Sequence, residues 1–459
     1  MTTRPSPHLS LEEPELRRTE PESGPHPRSA GPTLGASLLG FALICLDSSI
    51  VNVALPAIDG SLGGGMAGLQ WVVDAYTLAF AALMLSTGAF ADRVGASRAC
   101  ASGIALFTLA SAACGLAPSL PVLVAARVVQ GVAAALVLPA SLALVRRAYP
   151  EPARRARAVA TWAAGGSVAV ALGPVAGGAL TTAWNWRAIF FVNLPLGAVA
   201  LLLLLRAPRS PRRPAPLDLP GQVTAAVALT ALTFAVIERG PAGLAALGIA
   251  VVAAALFVRG EGRHPHPMVP LGLFRSGAVR TAVFAGIACS VAFFGSVFVF
   301  SLFFQQVQGR SALVSGLLFL PMTGLIAVTN VAAGKLTGRY GARVPMLAGQ
   351  LIAIAGLLTL LVVGAGTPGP AVALLLVPLA FGCALTVPPL TALMMDAVPA
   401  ERAGLAAGVL NAARQTAGGL GIAVFGALVA HGFATGMRTA LLIAVALLAL
   451  SVLVTARRR

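Results

Sequence analysis

Four ionisable residues interrupt long apolar runs. Asp47 lies in Leu46-Asp47-Ser48-Ser49-Ile50-Val51-Asn52-Val53-Ala54-Leu55-Pro56, and Asp74 in Trp71-Val72-Val73-Asp74-Ala75-Tyr76. Arg127 opens Arg127-Val128-Val129-Gln130-Gly131, and Arg414 lies in Asn411-Ala412-Ala413-Arg414-Gln415. A charge held in hydrocarbon costs several kcal/mol unless it meets water or a partner. An arginine beside a carboxyl favours the ionised form, whereas removal from water favours the neutral one. A carboxyl balanced between the two can load and release a proton as its surroundings change. Each residue also has a plainer reading. Asp47 can be a neutral acid bonded to Ser48 or a backbone carbonyl, Asp74 an interfacial helix cap, and Arg127 half of a static ion pair. Arg414 can meet an anionic substrate or a carboxyl, or cap a bent helix.

Two further patterns concern movement. Gly173-Pro174-Val175-Ala176-Gly177-Gly178 follows Gly165-Gly166 in one apolar run. Proline removes a backbone hydrogen bond and bends a helix, and glycines four apart let another helix approach closely. Gly88-Ala89-Phe90-Ala91-Asp92-Arg93-Val94-Gly95-Ala96-Ser97-Arg98 separates two apolar runs by a gap too short for a domain. Its acid, arginines and small residues suit a tight hairpin between membrane helices. Asp92 can cap the following helix or pair with an arginine.

These residues need apolar helices to hold them. Of the 459 residues, 58% are hydrophobic and 10% charged, a balance no soluble domain needs. About 20 apolar residues span a hydrocarbon core about 30 Å thick. Fourteen candidate spans are expected, at about 34–56, 69–90, 98–117, 121–145, 157–181, 186–206, 219–238, 241–259, 279–304, 313–334, 343–364, 370–395, 403–430 and 437–456, good to a few residues at each end. At about 1.5 Å per residue, Asp47, Asp74 and Arg127 then lie about 14, 6 and 9 Å from the outer ends of their spans. With both termini inside, about 26 of the 32 basic residues fall in the tail and inner loops. The charge of +17 therefore fits the inner membrane surface better than nucleic acid.

Residues 1–33, rich in Pro, Glu, Arg and Ser, are expected to lack structure, and the first span to be an uncleaved anchor. Gly334-Lys335-Leu336-Thr337-Gly338-Arg339-Tyr340-Gly341-Ala342-Arg343 repeats the 88–98 pattern with Gly338 in place of the acid. Two six-span halves, 34–206 and 279–456, then flank a 207–278 linker carrying two extra spans. The five cysteines show no C-x-x-C spacing and read as packing residues without a metal role. The five histidines fall in tails and loops, which disfavours an enzyme, and no phosphate-binding loop is present. Phe293, Phe294, Phe298, Phe303 and Phe304 read as a lipid-facing row, with a greasy cavity wall as the alternative. Trp71 and Tyr76 read as interface anchors.

The 88–98 hairpin resembles the loop signature of the major facilitator superfamily, with Ala96 and Ser97 before Arg98 where the signature carries its first basic residue. The 173–178 segment resembles the antiporter motif of that superfamily's drug exporters. R-x-x-Q-G at Arg127 resembles its proton-coupling motif, and the Asp47 and Asp74 segments those of its fourteen-span drug–proton antiporters. The resemblance implies an all-α integral membrane protein of the major facilitator fold, two six-helix bundles plus two central helices, in the plasma membrane. It implies proton-driven efflux of a hydrophobic drug or antibiotic, or, as the alternative, a metabolite or natural-product carrier, with no cofactor beyond the proton gradient. Asp47 and Asp74 would handle protons or cations, and Arg127 would couple. Asp92 would serve a cytoplasmic gate, and Gly173, Pro174, Gly177 and Gly178 the bend for alternating access.

Overall fold

The computed structural model describes residues 27–207, 210, 218–238, 240–265, 267–399 and 403–457. The side chains at 27–29, 85, 89, 92, 156, 327, 403 and 404 stand outside that description. In hydrocarbon every backbone polar group must find a partner within its own segment, which favours helices. The described chain is all-helical: α1 (Pro27–Leu62), α2 (Gly65–Val94), α3 (Ala96–Gly115), α4 (Leu120–Ala148), α5 (Pro152–Ala183), α6 (Ala188–Phe191) and α7 (Asn193–Leu204). Next come α8 (Leu219–Ile237), α9 (Pro241–Glu261) and α10 (Gly277–Leu302), which ends in a π turn over Phe303–Val307. The rest comprises α11 (Ala312–Leu318), α12 (Leu320–Tyr340), α13 (Arg343–Leu360), α14 (Gly369–Asp396), α15 (Ala403–Val429) and α16 (Phe433–Arg457).

Among the described residues, twelve helices are long and apolar enough to cross a membrane, and α11 with α12, bent by 45°, makes a thirteenth. The remaining expected span, 186–206, is the shorter apolar stretch Ala188–Leu204, divided at Val192. It packs beside α3, where a Cβ on Gly197 would stand 2.0 Å from the Thr108 hydroxyl. The first helix begins at Pro27, inside the stretch expected to lack structure, and residues 1–26 lie outside the described residues. Most of the 206–216 linker lies outside them too.

The two halves repeat one another. Gly95 and Gly341 turn the chain between α2 and α3 and between α12 and α13 with φ of 94° and 74°. Gly103 and Gly349 follow eight residues later and let α3 meet α4 and α13 meet α14. A Cβ there would come within 3.2 Å of the Ala133 carbonyl or 2.6 Å of the Gly382 carbonyl. The halves meet along two seams, α2 with α15 and α5 with α11 and α12. The α8–α9 pair leans on the first through α8. Its base is tied by Asp218, which caps α8 at Gly221 (2.8 Å), and by Glu261, which accepts from the Val269 N–H (2.8 Å).

The core shows which end is closed. One apolar cluster joins Ile50, Leu55 and Val72 to Phe298, Phe300 and Phe425 across both halves. Towards the end holding the N-terminus of α1, the cores separate, one within α1–α7 and another within the second half and its connector. Hydrogen bonds between the halves follow the same division. Gln70 Nε2 donates to the Ala423 carbonyl (2.5 Å), Ser301 Oγ to the Asn52 carbonyl (2.6 Å), and Gln305 Nε2 to the Val53 carbonyl (3.0 Å). The end bearing the α1–α2 turn is therefore sealed, and the tail end is parted. The phenylalanine row is not lipid-facing: Phe298, Phe303 and Phe304 are buried, because they fill the sealed seam.

Candidate functional site

Asp47 and Arg127, expected at similar depth, are in contact. Arg127 Nη1 donates to Asp47 Oδ2, and both side chains are buried, at 1% and 0% exposure. The pair forms because α1 and α4 pack antiparallel: a Cβ on Gly40 of α1 would lie 3.2 Å from Val137 of α4. Gln130, one turn along α4, accepts from Arg127 Nη1 (2.9 Å) and donates to Asp47 Oδ1 (3.3 Å) and to Ser111 Oγ (2.7 Å). Asn193, at the start of α7, donates to Asp47 Oδ1 (3.0 Å) and Ser111 Oγ (3.2 Å). Arg127 Nε donates to the Val72 carbonyl (3.0 Å). The guanidinium lies over the Tyr76 ring, 4.4 Å from its centroid. Five helices thus satisfy one buried ion pair. Such pairing is what makes a buried charge tolerable, since its desolvation otherwise exceeds the Coulombic gain.

Sequence reading located Asp47, Arg127 and Gln130 but not Asn193 or Ser111. Asn193 carried a signal, an amide beginning the apolar run Leu194–Leu205. Tyr76 is not an interface anchor. It is buried, with its hydroxyl 3.4 Å from the Ile44 carbonyl, because Arg127 needs a flat partner.

Asp74 does not join this network. It is fully buried on the opposite face of α2, towards α15, and neither carboxylate oxygen has a hydrogen-bond partner. A Cβ on Gly419 would stand 3.4 Å from Asp74 Oδ1.

Between the halves lies a cavity in two adjoining lobes of about 210 and 410 Å³, sharing Ser48, Asn52, Val170, Phe294 and Arg414. Neither Asp47 nor Arg127 lines it. Helix α1 turns Ser48 and Asn52 to the cavity and Asp47 to α4 and α7. Tyr76 is the partition, with Arg127 on one side and the larger lobe on the other. Arg414 enters both lobes.

The 173–178 segment is built for contact. A Cβ on Gly173 would stand 1.9 Å from Ser49 Oγ, and one on Gly177 2.5 Å from the Ile50 carbonyl, both on α1. One on Gly178 would stand 2.4 Å from the Ala312 carbonyl, across the seam. Gly316 answers from α11, where a Cβ would fall 2.1 Å from the Pro174 carbonyl. Pro174 leaves the Val170 carbonyl without its helical donor, at the cavity wall.

In the 88–98 hairpin, Gly95 supplies the turn and Arg98 Nη1 donates to the Val94 carbonyl (3.4 Å). A Cβ on Gly88 would meet nothing, Arg93 is exposed, and the Asp92 side chain lies outside the described residues. The tail ends of the halves stand apart here.

The family model described as Major Facilitator Superfamily matches residues 37–422. The chain is 42% identical over 409 residues to the "Multidrug resistance protein Stp" of Mycobacterium tuberculosis, covering 87% of this chain and 75% of that protein. It is 37% identical over 413 residues to the "Methylenomycin A resistance protein" of Streptomyces coelicolor, covering 88% and 87%. Among solved structures, a peptide transporter in complex with sulfate superimposes with a TM-score of 0.71 at 17% identity, over 94% of this chain and 95% of that one. A bacterial homologue of the lysosomal transporter Spinster, inward-facing and unoccupied, gives 0.69 at 17% identity, over 94% and 97%. At that identity the structural likeness concerns the fold alone.

Proposed function

The chain belongs to the major facilitator superfamily, transporters and not enzymes, and from that premise we propose that it exports a hydrophobic drug or antibiotic in exchange for protons. The observation that carries the reading is a buried Asp47–Arg127 pair separated by one tyrosine ring from a cavity shared by both halves.

Asp47 is the proton site. Protonation removes its charge and releases Arg127, which keeps Gln130, the Val72 carbonyl and the Tyr76 face. Movement of the guanidinium moves Tyr76, and with it a wall of the substrate cavity. Loading of the proton and release of substrate are thereby linked without the two sharing a pocket. The parted end is cytoplasmic, where the clustered arginines face the inner leaflet of the plasma membrane and both termini lie. The sealed end opens when the α2–α15 and α5–α11 seams part. The stretch Ala188–Leu204 is the fourteenth span, residues 34–206 and 279–456 are the moving halves, and Asp92 acts when the tail ends close. Asp74, buried without a partner on the first of those seams, is a second site for a proton or cation. No cofactor is needed: the membrane potential supplies about 2.3 kcal/mol per charge per 100 mV.

The test is exchange in proteoliposomes. An imposed pH gradient should drive uptake of a fluorescent hydrophobic substrate into inverted vesicles, and an uncoupler should abolish it. Asp47→Asn should retain gradient-independent binding and lose the driven component. Driven uptake at wild-type rate in that variant would end the assignment of Asp47.

A further inference from the structure

Among the described residues Arg414 has no counter-ion. Among them it makes no hydrogen bond or ion pair, its Nε is buried without a partner, and it reaches both lobes of the central cavity. Its place is set by α10, where Gly286 leaves room for the stem: a Cβ there would stand 2.9 Å from Arg414 Cγ.

Among the described residues no acid lines either lobe. Asp47 is occupied by Arg127 behind the Tyr76 ring. Asp74 faces Gly419, five residues further along the helix that bears Arg414, and is turned into the seam. Asp396 is exposed at the end of α14. Among the described residues the two lobes are thus lined by one guanidinium, the Cys289 and Cys383 thiols and no carboxylate. Around the guanidinium are amides and hydroxyls, Asn411, Gln415, Asn330 and Ser290, and an aromatic wall at Phe293 and Phe294, 5.3 Å apart and edge to face. A half-buried unpaired guanidinium pays desolvation without recompense unless something negative enters. A cationic substrate would meet repulsion in a medium of low dielectric.

We propose that this cavity takes amphipathic organic anions, molecules with an aromatic or aliphatic body and a carboxylate or sulfonate, and that Arg414 is the residue that selects them. The inference rests on the carrier reading above and gives it a substrate class. The guanidinium binds the anionic head in two-point geometry, and Phe293 and Phe294 take the body. The Asp47 proton site remains separate, so an anion can leave while a proton enters.

The experiment compares three probes of one shape: 1-pyrenebutyrate, its uncharged amide and 1-pyrenebutylamine. Binding to the full-length protein in lipid nanodiscs, without a gradient, is read by energy transfer from Trp162, which lines the larger lobe. The wild type should bind the carboxylate at least about tenfold more tightly than the amide, and the amine most weakly, as expected when a desolvated charge is paired. The carboxylate-to-amide ratio should fall to about one in Arg414→Gln and stay above one, though reduced, in Arg414→Lys, which keeps the charge but not the two-point geometry. Equal affinity for carboxylate and amide in the wild type, or preference for the amine, would overturn the proposal without any variant. An unchanged ratio in a folded Arg414→Gln, as expected if Arg414 only meets Asp74 when the seam moves, would also overturn it. Uncoupler-sensitive transport of the carboxylate, measured against protein-free vesicles, tests the export reading separately. Its absence beside a wild-type preference for the carboxylate would remove export and leave the anion site.

Discussion

Gly178→Ala should shift the balance between the sealed and opened forms. The added methyl would stand 2.4 Å from the Ala312 carbonyl and 2.7 Å from the Leu313 Cα, both backbone atoms of α11 that cannot swing aside. Overpacking of this kind costs about 1–3 kcal/mol. The contact crosses the seam, so the cost exists only while the sealed end is closed. At 1.4 kcal/mol per factor of ten, the sealed population should fall about 5- to 150-fold relative to the opened one. Gly177→Ala is the internal comparison. Its methyl would stand 2.5 Å from the Ile50 carbonyl, within the same half, so it should destabilise both forms alike. A cysteine at Ser301, buried with its hydroxyl donating to the Asn52 carbonyl across the halves (2.6 Å), reports the opening. Labelling by a membrane-impermeant maleimide from the sealed side should accelerate in Gly178→Ala and not in Gly177→Ala. Equal rates in folded Gly178→Ala and wild type would show that α5 and α11 do not part as the sealed end opens, and the alternating-access account of this segment would fail.

Four further outcomes follow from the site. Asp47→Asn leaves Arg127 buried without its counter-charge and should lower stability by about 3 kcal/mol, seen as an earlier thermal unfolding transition. Adding Arg127→Gln should restore much of that stability without restoring proton-driven exchange; recovery of exchange would place the coupling elsewhere. Asn193→Ala removes one donor to Asp47 and one to Ser111, and should cost about 1–3 kcal/mol in thermal unfolding. Asp218→Ala, which uncaps α8, should cost about 1 kcal/mol in thermal unfolding and leave the exchange rate unchanged.

Much of this molecule is legible along the chain because hydrocarbon imposes strict local rules. Helices must be long and apolar, so twelve of the fourteen expected spans stand as single helices among the described residues and a thirteenth as the bent α11–α12 pair, while the 188–204 stretch is shorter than a span. Buried charges are expensive, so Asp47 and Arg127 stand out before any contact is known. Glycine spacing marks 173–178 because only the smallest residue permits backbone contact.

What escaped was direction. A helix position says how deep a side chain lies but not which neighbour it meets. Asp47, Asp74 and Arg127 occupy comparable depths, yet α2 turns Tyr76 to Arg127 and Asp74 to α15. Phe298, Phe303 and Phe304 have the composition of a lipid-facing row and fill the sealed seam instead.

The chain by itself determined the apolar helices, their small-residue contact points and the depth of each ionisable group, because these follow from one-dimensional periodicity and the cost of burying charge. Only the tertiary structure decided which charges pair, which face the cavity, and that Arg414 is left alone there. Those facts depend on how each helix is rotated about its own axis by packing against helices hundreds of residues away.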